Sequence, residues 1–200
     1  LRNVDGLRNV EGLRLGAGLR RKPVRRNANM NTTTATTTTT MYDFGDCKGP
    51  VPAHRHVNGG GWVADTATVV DTAYVGPNAR VYEEACVFGK ACVFGKARVF
   101  GDAWVFGKAR VFGDVWVFGR ATVSGAAWVF GEARVFGRAC VFGEATVSGK
   151  ASVFGSARIY GSARVFDTAR VCGTSTVCGT STVCGSVRVC DENLSGGTRT

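Results

Sequence analysis

Both histidines of the 200-residue chain, His54 and His56, stand two residues apart in a segment that also carries Asp46 and Cys47. Histidine is the usual general base near neutral pH, and His with Cys or Asp is the usual make-up of a metal site. A metal site needs three or four converging ligands. An H-x-H pair in a stretch with two prolines and a glycine triplet offers no such set, so the pair is expected to be solvated or to cap a neighbouring element. The eight cysteines (Cys47, Cys86, Cys92, Cys140, Cys172, Cys178, Cys184 and Cys190) include no C-x-x-C pair, which argues against a zinc ribbon or dithiol redox motif. Asp102, Asp114, Glu132 and Glu144 each follow a glycine in a repeating frame, where a solvated corner group is expected. No catalytic residue, cofactor site or metal site is assigned.

The frame that carries those carboxylates is strict. An aliphatic residue recurs at every sixth position from Val63 to Val189, 22 times, and 21 of these are Val, with Ile159 the exception. Two residues before each, from position 67, stands a small residue: 17 Ala, plus Ser175, Ser181, Val115 and Val187. Glycine follows two residues after the aliphatic position without a break from Gly89 to Gly161. A period of six is too short for a helical repeat. Alternation puts the Val and Ala columns on one side of a short strand, and Gly with its polar neighbour supplies a corner.

Charge decides which side faces inward. The opposite columns carry Arg80, Arg98, Arg110, Arg134, Arg158, Arg164, Arg170 and Arg188, whereas the Val and Ala columns carry no charge. Burying eight unpaired guanidinium groups is prohibitive, so Val and Ala fill the interior and Phe, Trp and Arg point out.

This pattern resembles the hexapeptide-repeat superfamily, and within it small bacterial and phage proteins with long uninterrupted arrays. The resemblance covers residues 62–190. It implies an all-β fold, a single-stranded parallel β-helix that is left-handed and triangular in section, with about seven coils of three hexapeptides. At ~4.8 Å per coil such a prism is on the order of 34 Å long. Many members of that superfamily are acetyl-CoA-dependent acyltransferases, commonly trimeric, with a general-base His and a loop protruding from the prism. Here the repeats contain neither a His nor an interrupting loop. An acyltransferase with its base at His54 or His56 is thus the alternative to a non-enzymatic module.

Three hexads per coil stack residues 18 apart. One face then presents Tyr82, Phe100, Phe118, Phe136 and Phe154 in a row, flanked by Arg80, Arg98, Trp116 and Arg134. A second carries Phe88, Phe106, Phe142 and Tyr160 with Trp104; a third carries Phe94, Phe112, Phe130 and Phe166 with Arg110 and Trp128. Stacked rings stabilise one another by about 0.5–1.5 kcal/mol per pair. A continuous apolar strip on a soluble protein also calls for cover, and a second copy of a flat periodic face supplies it. The expected activity is therefore structural: self-association through outward aromatic ladders, with Tyr82, Phe100, Phe118, Phe136, Phe154, Arg98, Trp116 and Arg134 as the binding residues. A polysaccharide is a possible partner for the same face, and nucleic acid is disfavoured.

Outside the array, four segments are expected. Residues 1–41 read as a basic, Thr-rich disordered tail or an upstream reading frame, with Met41 a candidate start. Residues 42–61 read as an irregular lead-in or cap, 62–190 as the solenoid, and 191–200 as a polar tail. Of the net charge of +10, +6 falls in 1–41 and +4 in the remainder. The body is thus only mildly basic. No membrane span or signal peptide is recognised, which points to a cytoplasmic setting. Cys190 falls one coil beyond Cys172, within reach of a disulfide, although free stacked thiols are the commoner outcome in a reducing compartment.

Overall fold

The computed structural model describes residues 40–200, so the expected tail lies outside the described residues except for Thr40 and Met41. These residues form 26 β-strands, with no helix among them. From Trp62 onward the chain winds as a parallel β-solenoid. Every third strand pairs in register with the one 18 residues later, as in Val63 with Val81 and Val81 with Val99. The pairing builds three sheets, each with eight parallel coil strands, around one core of triangular section. Backbone bonds run from coil to coil, for example from the Arg80 N–H to the Ala97 carbonyl at 3.0 Å and from the Tyr82 N–H to the Val99 carbonyl at 3.0 Å.

The interior is made of the two columns that carry no charge. From Ala73 to Val171 every Ala and aliphatic residue of the six-residue frame is fully buried, including Val115, which stands in an Ala position. Ser175 and Ser181 continue the small-residue column, and each buried hydroxyl donates inside the core: Ser175 Oγ to the Cys172 carbonyl at 2.7 Å, Ser181 Oγ to that of Cys178 at 2.6 Å. A buried hydroxyl with a partner carries little penalty, which is why Ser substitutes for Ala here.

Eight coils are present rather than about seven. The 22 hexads account for the first strand of the last coil, Arg188–Cys190. Its second and third strands are Asn193–Leu194 and Thr198–Arg199, which pair with Thr176–Val177 and Thr182–Val183. Residues 191–200 lack the Val-Ala pattern, but the backbone of the preceding coil offers them a template. At the other end, β1 (Thr40–Tyr42) and β2 (Val51–Arg55) form an antiparallel extension of the first sheet, β2 pairing with β3 (Trp62–Ala64).

Corners follow the glycines, whose φ values of +63° to +87° between Gly89 and Gly185 lie in the left-handed region. Three corners place an acidic residue there instead: Glu83 (φ +60°), Asp167 (+60°) and Asp191 (+58°). Each carboxylate accepts an N–H of the adjacent coil: Glu83 from Gly101 at 2.7 Å, Asp167 from Gly185 at 2.9 Å and Asp191 from Thr174 at 2.9 Å. A bond between coils offsets the left-handed cost, which runs to about 1–2 kcal/mol for an ordinary residue.

Candidate interaction surfaces

The first face carries two side-by-side columns. One is an aromatic ladder in which Tyr82, Phe100, Phe118, Phe136 and Phe154 stack ring on ring, with centroids 4.9–5.0 Å apart and planes within 3–5° of parallel. The ladder begins one rung before the expected set: Phe44, from the loop between β1 and β2, stacks on Tyr82 at 4.8 Å. Phe44 and Tyr82 are buried, at 1% and 3% exposure. Burial pushes the Tyr82 hydroxyl up to about 12 despite the nearby Arg98. The rings from Phe100 onward are half-buried because each covers its neighbour's face. The strip open to solvent is therefore narrower than five rings in a row suggest. Phe44 could have been found from sequence, since Phe44-Gly45-Asp46 repeats the Phe-Gly-polar order of the hexads.

The second column on this face is basic. Arg55, Trp62, Arg80, Arg98, Trp116, Arg134, Ser152, Arg170 and Arg188 occupy successive rungs, through the antiparallel pair at its start and the parallel ladder thereafter. The structure thus brings Arg98, Trp116 and Arg134 together as expected from the 18-residue stacking. The guanidinium carbons of Arg98 and Arg134 lie 5.1 and 5.6 Å from the Trp116 ring centroid. Such contacts contribute about 0.5–1 kcal/mol each at exposed sites. Arg55 and Trp62 join the column only because β2 folds back on β3, a pairing with no repeat signature.

The start of the basic column is shaped. A cavity of about 380 Å³ is lined by Tyr42, Arg55, Trp62, Pro77, Asn78, Arg80, Lys96 and Arg98. Two of its cations are held in place: Arg55 donates to the Gly60 carbonyl at 2.8 Å and lies 4.2 Å from the Trp62 centroid, and Arg80 donates to the Phe44 carbonyl at 2.8 Å. Among the described residues, no carboxylate lines it.

The second face differs in kind. Its outward row before each Val reads Thr68, Cys86, Trp104, Thr122, Cys140, Arg158, Thr176 and Asn193, with one charge. Trp104 is 49% exposed, and Phe106 and Phe142 are 36% exposed. Phe142 stacks on Tyr160 at 4.9 Å, but Ser124 interrupts the row between Phe106 and Phe142. Burial pushes the Cys86 thiol up, leaving it the neutral, poorly nucleophilic form. The third face is mixed, with Phe94, Phe112 and Phe130 stacked at 4.8 and 5.0 Å and Arg110 4.9 Å from the Trp128 centroid.

The histidines part company. His56 is buried, and its Nε2 lies 3.0 Å from the Ala73 carbonyl, so that nitrogen carries the proton and donates. His54 pairs its Nδ1 with Asp65 Oδ1 at 2.8 Å, both side chains about half exposed. Among the described residues, no three His, Cys, Asp or Glu side chains converge on a point. Cys172 and Cys190 are joined as a disulfide across adjacent rungs, with Cα atoms 4.7 Å apart. No helix among the described residues is long and apolar enough to cross a membrane.

The three-sheet solenoid with continuous side-chain ladders defines a repeat protein of the parallel β-helix class. Compared with protein-family models, curated proteins and solved structures, the chain finds no match.

Proposed function

We propose that this protein is a non-enzymatic structural and interaction module: a stiff β-solenoid of the hexapeptide-repeat type, left-handed as that family's members are, that self-associates through an outward aromatic row. The second face is the row that the geometry favours. It carries one charged side chain in its outward row and the most exposed tryptophan of the array, Trp104. On the first face, by contrast, two copies would bring their arginine columns into opposition, and like charges facing one another at close range cost several kcal/mol. The ladder of Tyr82, Phe100, Phe118, Phe136 and Phe154 then serves mainly to bind coil to coil and to support the arginines beside it.

The test is the mass in solution, by light scattering after size exclusion in reducing buffer. Trp104→Ser with Phe106→Ser should turn a dimer or trimer into a monomer, while Phe118→Ser on the first face should leave the mass unchanged. A wild-type monomer, or an assembly indifferent to the Trp104 and Phe106 changes, overturns the proposal.

The paired His54 and Asp65 favour a second reading, an acyltransferase with His54 as base, because a carboxylate on one ring nitrogen is how a general base is oriented. It predicts acetyl-CoA binding by calorimetry that His54→Ala abolishes. Absence of binding to the wild type removes it.

A further inference from the structure

The arginines are not spread evenly around the prism. Six of them (Arg55, Arg80, Arg98, Arg134, Arg170 and Arg188) share one column of the first face, against one, Arg158, in the matching column of the second face and two, Arg110 and Arg164, in that of the third, with Arg120, Arg138 and Arg199 outside these columns. No acidic residue interrupts that column. The ion pairs found among the described residues join Lys48 to Glu83, His54 to Asp65, Lys150 to Glu132 and Arg199 to Glu192, so none uses a column arginine. A mildly basic body thus presents one strongly basic, straight track, which opens at its β2 end into the cation-lined cavity.

We propose that this track binds an acidic polysaccharide laid along the solenoid axis, with a sulfate or carboxylate group seated among Arg55, Arg80, Lys96 and Arg98. Charge complementarity selects an anionic polymer, and the state of the rings selects its class. A single-stranded nucleic acid is held by stacking its bases on open aromatic faces. On this face those faces are taken: the Phe rings cover one another, Trp62 has Tyr42 stacked at 4.1 Å and Arg55 at 4.2 Å, and Trp116 carries Arg98 and Arg134. What remains on offer is guanidinium N–H donors and ring edges. Arg98, Arg134 and Arg170 recur on alternate rungs, about 9.6 Å apart at the usual strand spacing. That interval suits an extended chain bearing at least one acidic group per disaccharide, and planar guanidinium forks match carboxylate and sulfate oxygens. The track is separate from the face proposed for self-association, so each proposal can fail alone.

The experiment titrates full-length protein with heparin oligosaccharides, polygalacturonate, neutral dextran and an oligothymidylate of matched charge, at two salt concentrations. The variant Arg98→Ala, Arg134→Ala, Arg170→Ala is compared with Arg110→Ala, Arg158→Ala, Arg164→Ala, which removes the same charge from the other two faces. Expected is binding to one or both acidic glycans but not dextran. The first variant should weaken it about tenfold or more and flatten its salt dependence by about one unit of slope per arginine, with the second changing it less than about twofold. Equal losses in the two variants would mean diffuse charge and overturn the track. Tighter binding of the oligothymidylate would overturn the polysaccharide. If the first triple variant does not fold, the single reversal Arg134→Glu reads the same surface, and unchanged glycan affinity there overturns the proposal as well.

Discussion

Phe100 and Phe118 lie one coil apart with ring centroids 5.0 Å apart and planes 3° from parallel. Phe118 has Phe136 on its other side at 4.9 Å, whereas Phe154 ends the run with Phe136 as its one stacked ring. Phe118→Ala therefore removes two stacked pairs and Phe154→Ala removes one. At about 0.5–1.5 kcal/mol per pair beyond area burial, Phe118→Ala should lose the larger amount. Phe154 also carries the Arg170 guanidinium 5.4 Å from its centroid, so urea midpoints of both variants are compared in an Arg170→Ala background, where equal losses would mean that the ladder contributes by burial alone.

Gly113 has φ +87°, and a Cβ added to it would stand 2.6 Å from the Gly131 carbonyl oxygen. Gly179 has φ +63°, but the nearest heavy atom to its added Cβ is 3.9 Å away. Gly179→Ala thus meets only the backbone strain of about 1–2 kcal/mol, while Gly113→Ala adds a collision with backbone that cannot move aside. The thermal midpoint should fall further for Gly113→Ala.

The core explains why so much of the fold was legible. Val63 to Val189 and their Ala partners form a one-dimensional code, since each hexad meets the same environment one coil away, so the period fixes strands and corners, and the arginines of the opposite columns fix the inward direction. The same code placed Arg98, Trp116 and Arg134 in one column, because residues 18 apart must stack. Illegible were the elements that obey no period. Arg55 and Trp62 meet only through an antiparallel fold-back, whereas Phe44, which reaches the ladder from a loop, left its local Phe-Gly-Asp order as a signal. Asn193 and Thr198 take strand positions by backbone pairing alone. The ladder's exposure was also hidden, since ring-on-ring cover depends on side-chain tilt rather than on spacing.

Ala127 is fully buried, as is every Ala of the six-residue frame between Ala73 and Ala169, whereas Val115 fills the equivalent small-residue position on another face. Two extra methyl groups can thus be housed where neighbouring rungs are small. Ala127→Val should change stability by less than about 1.5 kcal/mol, while Ala127→Leu, which adds a branch that must point across the narrow interior, should cost about 1–3 kcal/mol. Denaturant midpoints of both variants decide it, and a Leu variant as stable as the Val one would mean that the interior is looser than its burial implies.

Asp191 binds the last coil to the one before it. Its Oδ1 accepts the Thr174 N–H at 2.9 Å and the Thr174 hydroxyl at 3.1 Å, and these bonds, the backbone one foremost, hold its carboxyl below the ordinary value of 3.8. A carboxylate whose folded pKa is depressed adds stability above its unfolded pKa and loses it as pH falls through the folded value. The C-terminal coil should therefore loosen in acid, beginning near the ordinary carboxylate range. Asp191→Asn lacks the titrating group, so its thermal midpoint should lie below that of the wild type near neutrality and approach it as pH falls below about 4. Thr174→Val, which removes the hydroxyl donor but keeps the backbone N–H, should lose a smaller part of the same acid dependence. A gap between wild type and Asp191→Asn that stays constant with pH would mean that the carboxylate is not titrating against the fold, and that backbone pairing alone holds the last coil.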